Sequence, residues 1–176
     1  MKARAALPLG MILLLAGCAG GVSRIGGAQY ESYYDAELVR YAARTGQIPV
    51  VVAGNPFGDD AAVVAAMRPP AWLADARFVP VGTAPDYYRV VLVFGQTPKG
   101  WSAEAACKLI DGDPAIPAGR ADRLQATFCG GARPVSSLFA EGPSIAGASD
   151  PAFRKFLGQV VSVLLPAKNP RPIAGP

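Results

Sequence analysis

The sequence predicts a single α+β domain: a mixed or antiparallel sheet of about four strands with helices packed on it. The first half of the chain alternates helical and strand patterns, and the second half has two consecutive strand patterns followed by an amphipathic helix. The 176 residues are 51% apolar and only 17% charged. Such a chain can bury one hydrophobic core, and it lacks the charge of a disordered polyampholyte.

Two helices and two strands are predicted in the first half of the domain. A helical repeat over residues 34–42 predicts the first helix, and the β-branched run 48–53 is typical of a buried strand. Two aspartates cap a second helix over 59–68, which two prolines end. Residues 71–86 are predicted to be irregular, and 87–94 form the strongest strand pattern, with both faces covered. The apolar residues expected to lie inward are Tyr34, Leu38, Tyr41, Ala42, Trp72, Leu73, Phe78 and Val79.

A short helix, a hairpin and a long helix are predicted in the second half. Residues 102–110 are helical and 111–119 form a Pro/Gly loop. Strands 123–128 and 135–141 pair antiparallel, and a helix then begins at Asp150-Pro151 and ends at Pro166. Its apolar stripe is expected to dock on the sheet, and it consists of Phe153, Phe156, Leu157, Val160, Val161 and Leu164.

The N-terminus has the parts of an export signal in their usual order. Residues 1–4 are positively charged, and residues 5–15 are apolar but too few to span a membrane, which takes about 20 residues. Leu15-Ala16-Gly17-Cys18 follows. These residues resemble the signal and lipobox of bacterial lipoproteins. An ordinary export signal that happens to end at a cysteine is the alternative.

The resemblance implies cleavage before Cys18 and acylation of its thiol and its new amine, which would give a stable lipid anchor. Because Ala19 is not aspartate, the resemblance to enterobacterial lipoproteins further implies an outer-membrane location facing the periplasm. The predicted organisation is then a signal peptide over 1–17, a flexible Gly-rich tether over 18–29, one α+β domain over 30–166 and a mobile Pro-rich tail over 167–176.

Two cysteines remain once Cys18 carries lipid. In an oxidising compartment, Cys107 and Cys129 are expected to form a disulfide. Two separate buried thiols are the alternative. A catalytic redox pair is disfavoured because the chain has no Cys-x-x-Cys motif and no histidine.

Catalytic motifs are missing from the sequence. The absence of histidine excludes Ser–His and Cys–His catalysis and imidazole metal sites, and we expect neither a cofactor nor a metal. The pair Asp111 and Asp113 has the start of a calcium loop without its remaining ligands. A loop between a strand and a helix is a possible ligand site, formed by Gly54, Asn55, Phe57 and Gly58, although a tight turn before a capped helix is the favoured interpretation. A carboxylate pair could come from Asp59, Asp60, Glu104, Asp111, Asp113 or Glu141.

Tyrosines are concentrated in two short segments. Four of the six lie in residues 30–41, and Tyr87-Tyr88 begin the main strand. Tyrosine combines a flat apolar face with a polar tip, which suits contacts with peptides, glycans or proteins. In the alternative, Tyr34 and Tyr41 pack inward while Tyr30 and Tyr33 cover the junction with the tether.

These features together predict a lipid-anchored protein of the cell envelope that is a non-catalytic binding or accessory module. Its expected partners are the membrane, through the lipid, and another envelope protein. No basic stripe indicates binding to nucleic acid. The alternative is an envelope enzyme or a solute-binding protein that uses carboxylates or the loop from Gly54 to Gly58.

Overall fold

The chain folds into one mixed sheet with helices on both faces. The computed structural model describes residues 23–81, 87–95, 102–109 and 116–170. Within them the sheet has six strands in the order β1-β6-β5-β4-β2-β3. The elements are β1 Arg24–Tyr30, α1 Ala36–Ala42, β2 Gln47–Ala53, α2 Asp60–Ala66, a 3₁₀ turn Ala71–Leu73, β3 Arg77–Pro80, β4 Tyr88–Phe94, α3 Ala103–Cys107, β5 Arg123–Gly130, β6 Arg133–Glu141 and α4 Pro151–Leu164.

The predicted single sheet with packed helices is confirmed, but the predicted strand number of about four is wrong. Strand β2 pairs in parallel with both β3 and β4, whereas the other neighbouring strands pair antiparallel. The two additional strands, β1 and β3, form the edges of the sheet.

Strand β1 lies where the sequence predicted a flexible tether. Its residues pair with β6 from Arg24 opposite Glu141 to Tyr30 opposite Ser136, with an irregularity between Gly26 and Gln29. The tether prediction is therefore wrong from Arg24 onward. Glycine weakens a strand pattern. This edge strand is held by its ladder to β6 and by the buried side chain of its last residue, Tyr30.

Strand β3 lies in the segment predicted to be irregular. It has only four residues and ends at Pro80, and proline is the residue that most disfavours a strand assignment. Pairing with β2 stabilises this strand in spite of its weak local pattern. Phe78 of β3 lies opposite Ile48 of β2, and both side chains are buried.

The sheet separates two apolar clusters, and β4 contributes to both. Its residues Val90, Leu92 and Phe94 join the larger cluster, which includes apolar residues of α1, α2 and α4. On the opposite face Val91 and Val93 join a smaller cluster with α3. All five side chains are 0% exposed, which confirms the prediction of a central strand covered on both faces.

Helix α4 matches its prediction in bounds, cap and buried face. The Asp150 carboxylate accepts a hydrogen bond from the Ala152 N–H at 2.8 Å, and proline occupies the first turn. The side chains that the helix buries are Phe153, Phe156, Leu157, Val160, Val161 and Leu164, which is the predicted stripe. Among the described residues, none of the helices has the length and hydrophobicity that a membrane span requires.

Helix α3 is joined to the sheet by Cys107 and Cys129. The two cysteines are disulfide-bonded, with their Cα atoms 5.6 Å apart, and both are 0% exposed. The guanidinium of Arg89, on β4, donates a hydrogen bond to the carbonyl of Cys107 at the last residue of the helix. Burial lowers the pKa of Arg89. A positive charge at this position favours the helix C-terminus.

The register of the strands gives the sheet two distinct ends. The β5–β6 turn lies at one end, together with the first residues of β2, β3 and β4 and the last residue of β1. We call this the hairpin end. Strand β1 begins at the opposite end, at Arg24, beside Glu141. Strand β6 has nine residues, so at ~3.3 Å per residue the two ends are about 26 Å apart.

Both termini extend beyond the described residues. The predicted signal peptide and Cys18 precede them, and residues 171–176 follow them. The first part of the predicted mobile tail lies against the domain, since the Asn169 side-chain amide donates to the carbonyl of Tyr34 at 3.4 Å.

Candidate functional site

Three exposed tyrosines meet at the hairpin end. Tyr33, Tyr41 and Tyr87 are 49%, 56% and 67% exposed, and they are the exposed large apolar side chains of the described residues. Half-buried Tyr88 lies between them. We call Tyr33, Tyr41, Tyr87 and Tyr88 the tyrosine surface. Single exposed apolar residues are ordinary, but a contiguous group marks a contact site.

Tyr88 organises this surface because its ring contacts three others. It stacks on buried Phe128 with the ring centroids 6.0 Å apart. It makes edge contacts with Tyr87 at 4.9 Å and with Tyr41 at 5.9 Å. The rings of Tyr41, Tyr87 and Tyr88 are therefore in contact with one another and, through Phe128, with the core.

The β5–β6 turn fixes the backbone of Tyr87. The Gly131 N–H donates to the Tyr87 carbonyl at 2.6 Å. Gly131 has φ +60°, and a Cβ at this position would lie 3.0 Å from the Tyr87 ring. Glycine thus allows both the turn and the close approach of the ring.

Two other tyrosines join distant segments of the domain instead of facing solvent. The hydroxyls of Tyr30 and Tyr34 donate to the carbonyls of Val163 and Pro166 at 2.6 and 2.7 Å. Burial raises the pKa of both hydroxyls, so both remain neutral donors. The inward packing predicted for Tyr34 is confirmed.

The inward packing predicted for Tyr41 is wrong. Helix α1 buries Ala36, Val39 and Ala42 and thereby turns Tyr41 outward. The predicted role of Tyr30 at a tether junction is also wrong, because Tyr30 is the buried last residue of β1. Tyr33 stays half exposed, and its hydroxyl donates to the Pro134 carbonyl at 2.6 Å.

Two cavities flank the tyrosine surface and share Tyr87 and Tyr88. The larger, of about 530 Å³, lies beside Tyr41 and Arg44, and the smaller, of about 320 Å³, lies beside Tyr33 and Arg133. No acidic residue lines either cavity within the described part of the chain. Rigid aromatic rings beside arginines have the composition of the most energetic part of a protein interface.

Arg44 is held over the tyrosine surface. Its guanidinium carbon lies 4.3 Å from the centre of the Tyr41 ring, and Nη1 donates to the Tyr41 carbonyl at 3.0 Å. Neither Arg44 nor Arg133 was predicted from the sequence. Arg44 follows Tyr41 by three residues, a local spacing that could have indicated the contact. Arg133 reaches the tyrosines only through the β5–β6 turn.

In the loop considered as a candidate ligand site, the polar side chains form hydrogen bonds with neighbouring groups of the same chain segment. The Asn55 side chain accepts from the Phe57 N–H at 2.9 Å and donates to Asp60 at 2.6 Å. The Phe57 ring packs on Phe153 with the centroids 5.3 Å apart. Asp59 caps α2 by accepting from the Ala62 N–H at 3.1 Å. The arrangement is that of a tight turn before a capped helix.

Gly119 packs against the end of the sheet next to this loop. In α/β proteins, ligands bind beyond the carboxyl ends of the parallel strands. Two of the parallel strands, β2 and β4, end next to this loop. Gly119 crosses both ends: its N–H donates to the Gly54 carbonyl at 2.8 Å, and a Cβ on it would lie 2.5 Å from the Gly95 Cα. Gly54 in turn lies against Ile116 and Pro117. Within the described residues, Gly119 thus packs against both Gly54 and Gly95.

Three of the carboxylates predicted as candidates for a catalytic pair, Asp59, Asp60 and Glu141, bond to other groups of the domain. Asp59 and Asp60 act in the turn described above, and Glu141 lies 3.6 Å from Arg123 in an exposed ion pair. A hydrogen bond from its own backbone lowers the pKa of Glu104, whereas a general acid needs a raised pKa. Asp111 and Asp113 lie outside the described residues. No group of three potential metal ligands occurs in the described ranges.

Comparison with known proteins adds no relative to this picture. No protein-family model matches the chain, and no match to a curated protein or a solved structure was found.

Proposed function

We propose that this protein is a lipid-anchored lipoprotein of the cell envelope whose domain is a non-catalytic binding module. In this proposal Cys18 carries the lipid, the domain faces the periplasm from the outer membrane, and an envelope protein binds the tyrosine surface. The convergence of the exposed tyrosines at the hairpin end is the single observation that carries the binding role.

The lipid anchor is supported by Leu15-Ala16-Gly17-Cys18 and by where the domain begins. Only residues 19–23 separate Cys18 from the first residue of β1. A lipidated Cys18 would therefore hold the domain close to the bilayer by the end of the sheet at which β1 starts.

The binding role is supported by the position of the tyrosine surface as well as by its chemistry. It lies at the hairpin end, about 26 Å from the end at which β1 begins, as the strand rise gives. A partner can thus reach the tyrosines while the opposite end of the sheet is anchored. An enzymatic or solute-binding role has less support, since the Asn55 side chain bonds within the loop and to Asp60, and Gly119 packs on Gly54.

Replacing Cys18 with Ser is expected to abolish lipidation and leave an uncleaved or soluble form, because the acylated thiol is absent. Intact-mass analysis of the membrane fraction measures both cleavage and acylation. The variant Cys107→Ala/Cys129→Ala is the matched control, since it removes the other cysteines and should keep the lipid. A wild-type mature N-terminus at any residue other than 18 would refute the proposal.

The tyrosine surface is tested by photocrosslinking in intact envelopes. A photoreactive phenylalanine analogue at Tyr41 of the full-length lipoprotein is expected to capture one defined protein. The same analogue at Ala65, which is exposed on α2, is the control and should not capture it.

The captured protein is then purified and its affinity for the lipoprotein measured. The variant Tyr41→Ala/Tyr87→Ala is expected to weaken binding by about 2 kcal/mol or more, roughly thirtyfold in Kd, because aromatic side chains dominate interface energies. Both side chains are more than half exposed, so the unfolding midpoint should change little. Equal affinity of the wild type and the variant would exclude the tyrosine surface as the binding site.

A further inference from the structure

A shallow groove lies where the N-terminal segment enters the domain. It has a volume of about 710 Å³. Its walls are Ser23, just before β1, Ile25 of β1, the segment 68–71 after α2, and the outer face of α4 from Lys155 to Val163. It is separate from the two cavities of the tyrosine surface, with which it shares no lining residue.

The groove combines an apolar floor with a basic rim. Ile25, Val163 and the prolines of segment 68–71 are half buried, whereas Arg68 and Lys155 are exposed. No acidic residue lines it among the described residues. Basic side chains around an apolar strip match the membrane interface, where lipid phosphates lie above the acyl chains.

The length of chain before the groove limits its distance from the bilayer. Ser23 itself lines the groove, and five peptide steps separate it from Cys18. An extended chain advances at most about 3.6 Å per step, so the two Cα atoms are within about 18 Å of each other. A lipid on Cys18 therefore holds this groove near the membrane surface.

We propose that the groove rests on the bilayer and that Arg68 and Lys155 bind the phosphate groups of anionic phospholipids. This proposal rests on the proposed lipidation of Cys18. It places the face formed by β1 and α4 toward the membrane, and it leaves the tyrosine surface, which shares no lining residue with the groove, accessible to a partner.

The experiment uses the mature lipoprotein inserted into preformed vesicles of phosphatidylcholine, with or without phosphatidylglycerol. A membrane-impermeant reagent acetylates lysines, and mass spectrometry gives the reaction rate of Lys155 relative to that of Lys108. Lys108 is exposed at the end of α3, on the other face of the sheet, and serves as the internal reference. With phosphatidylglycerol the Lys155 rate is expected to fall several-fold while the Lys108 rate is unchanged.

The variant Arg68→Glu is expected to restore the Lys155 rate in the same vesicles, whereas Arg44→Glu, the same change of charge at the tyrosine surface, should not. Intact mass and flotation with the vesicles report the lipid independently. A lipidated protein whose Lys155 rate ignores phosphatidylglycerol would overturn the groove proposal alone. A protein without lipid on Cys18 would overturn the proposed anchor and this inference with it.

Discussion

Replacing Phe156 with Ala is expected to lower the free energy of unfolding by about 3–5 kcal/mol, the usual cost of removing a buried aromatic ring. Phe156 is 0% exposed and lies in the larger apolar cluster between α4 and the sheet. A Cβ on Gly142 would lie 3.0 Å from its ring, so the chain before α4 is packed tightly against it. The loss of the ring would leave a cavity that this backbone cannot readily fill.

Chemical denaturation monitored by tryptophan fluorescence or circular dichroism measures the effect. Gln159→Ala is the matched control, because Gln159 is exposed on the same helix and its truncation should change stability by less than about 0.5 kcal/mol. If Phe156→Ala unfolded at the wild-type midpoint, the apolar stripe of α4 would not be packed on the sheet, and the assignment of the core would be wrong.

The parts of the fold that were predictable are those with strong local patterns. Helix α4 repeats apolar residues along one stripe, and β4 is apolar on both faces, so each pattern admits one structure. Strands β1 and β3 are at the edges of the sheet, and they depend on pairing with β6 and β2. The glycines of β1 and Pro80 of β3 disfavour a strand assignment, so the local sequence does not predict this pairing.

For the candidate site, the sequence predicted only the type of residue, which is tyrosine. The tyrosine clusters in the sequence indicated contact chemistry, but which tyrosines face outward depends on the buried face of α1. Helix α1 buries Ala36, Val39 and Ala42, and Tyr41 therefore lies on its exposed side. Gly119 contacts Gly54 although the two residues are far apart in sequence, and no local pattern predicts this contact.

Removal of the Cys107–Cys129 disulfide is expected to lower stability by roughly 2–4 kcal/mol. The bond closes a loop with a sequence separation of 22 residues and so restricts the unfolded chain. Its loss should affect α3 most, because a helix of five residues has too few internal hydrogen bonds to persist alone. The expected result is a lower unfolding midpoint together with faster hydrogen exchange in α3 than in α4.

The variant Cys107→Ala/Cys129→Ala is the best form of this experiment, since Cys107→Ala alone leaves a thiol at Cys129 that can pair between molecules. Reduction of the wild type should reproduce its effect, because both remove the bond while the remaining contacts of α3 with β4, β5 and β6 persist. The buried side chains of α4 lie on the other face of the sheet, so the cost should add to that of Phe156→Ala. Titration of two free thiols in protein isolated from cells without a reductant would show that the pair is not oxidised in the cell, and the expected loss would then be absent.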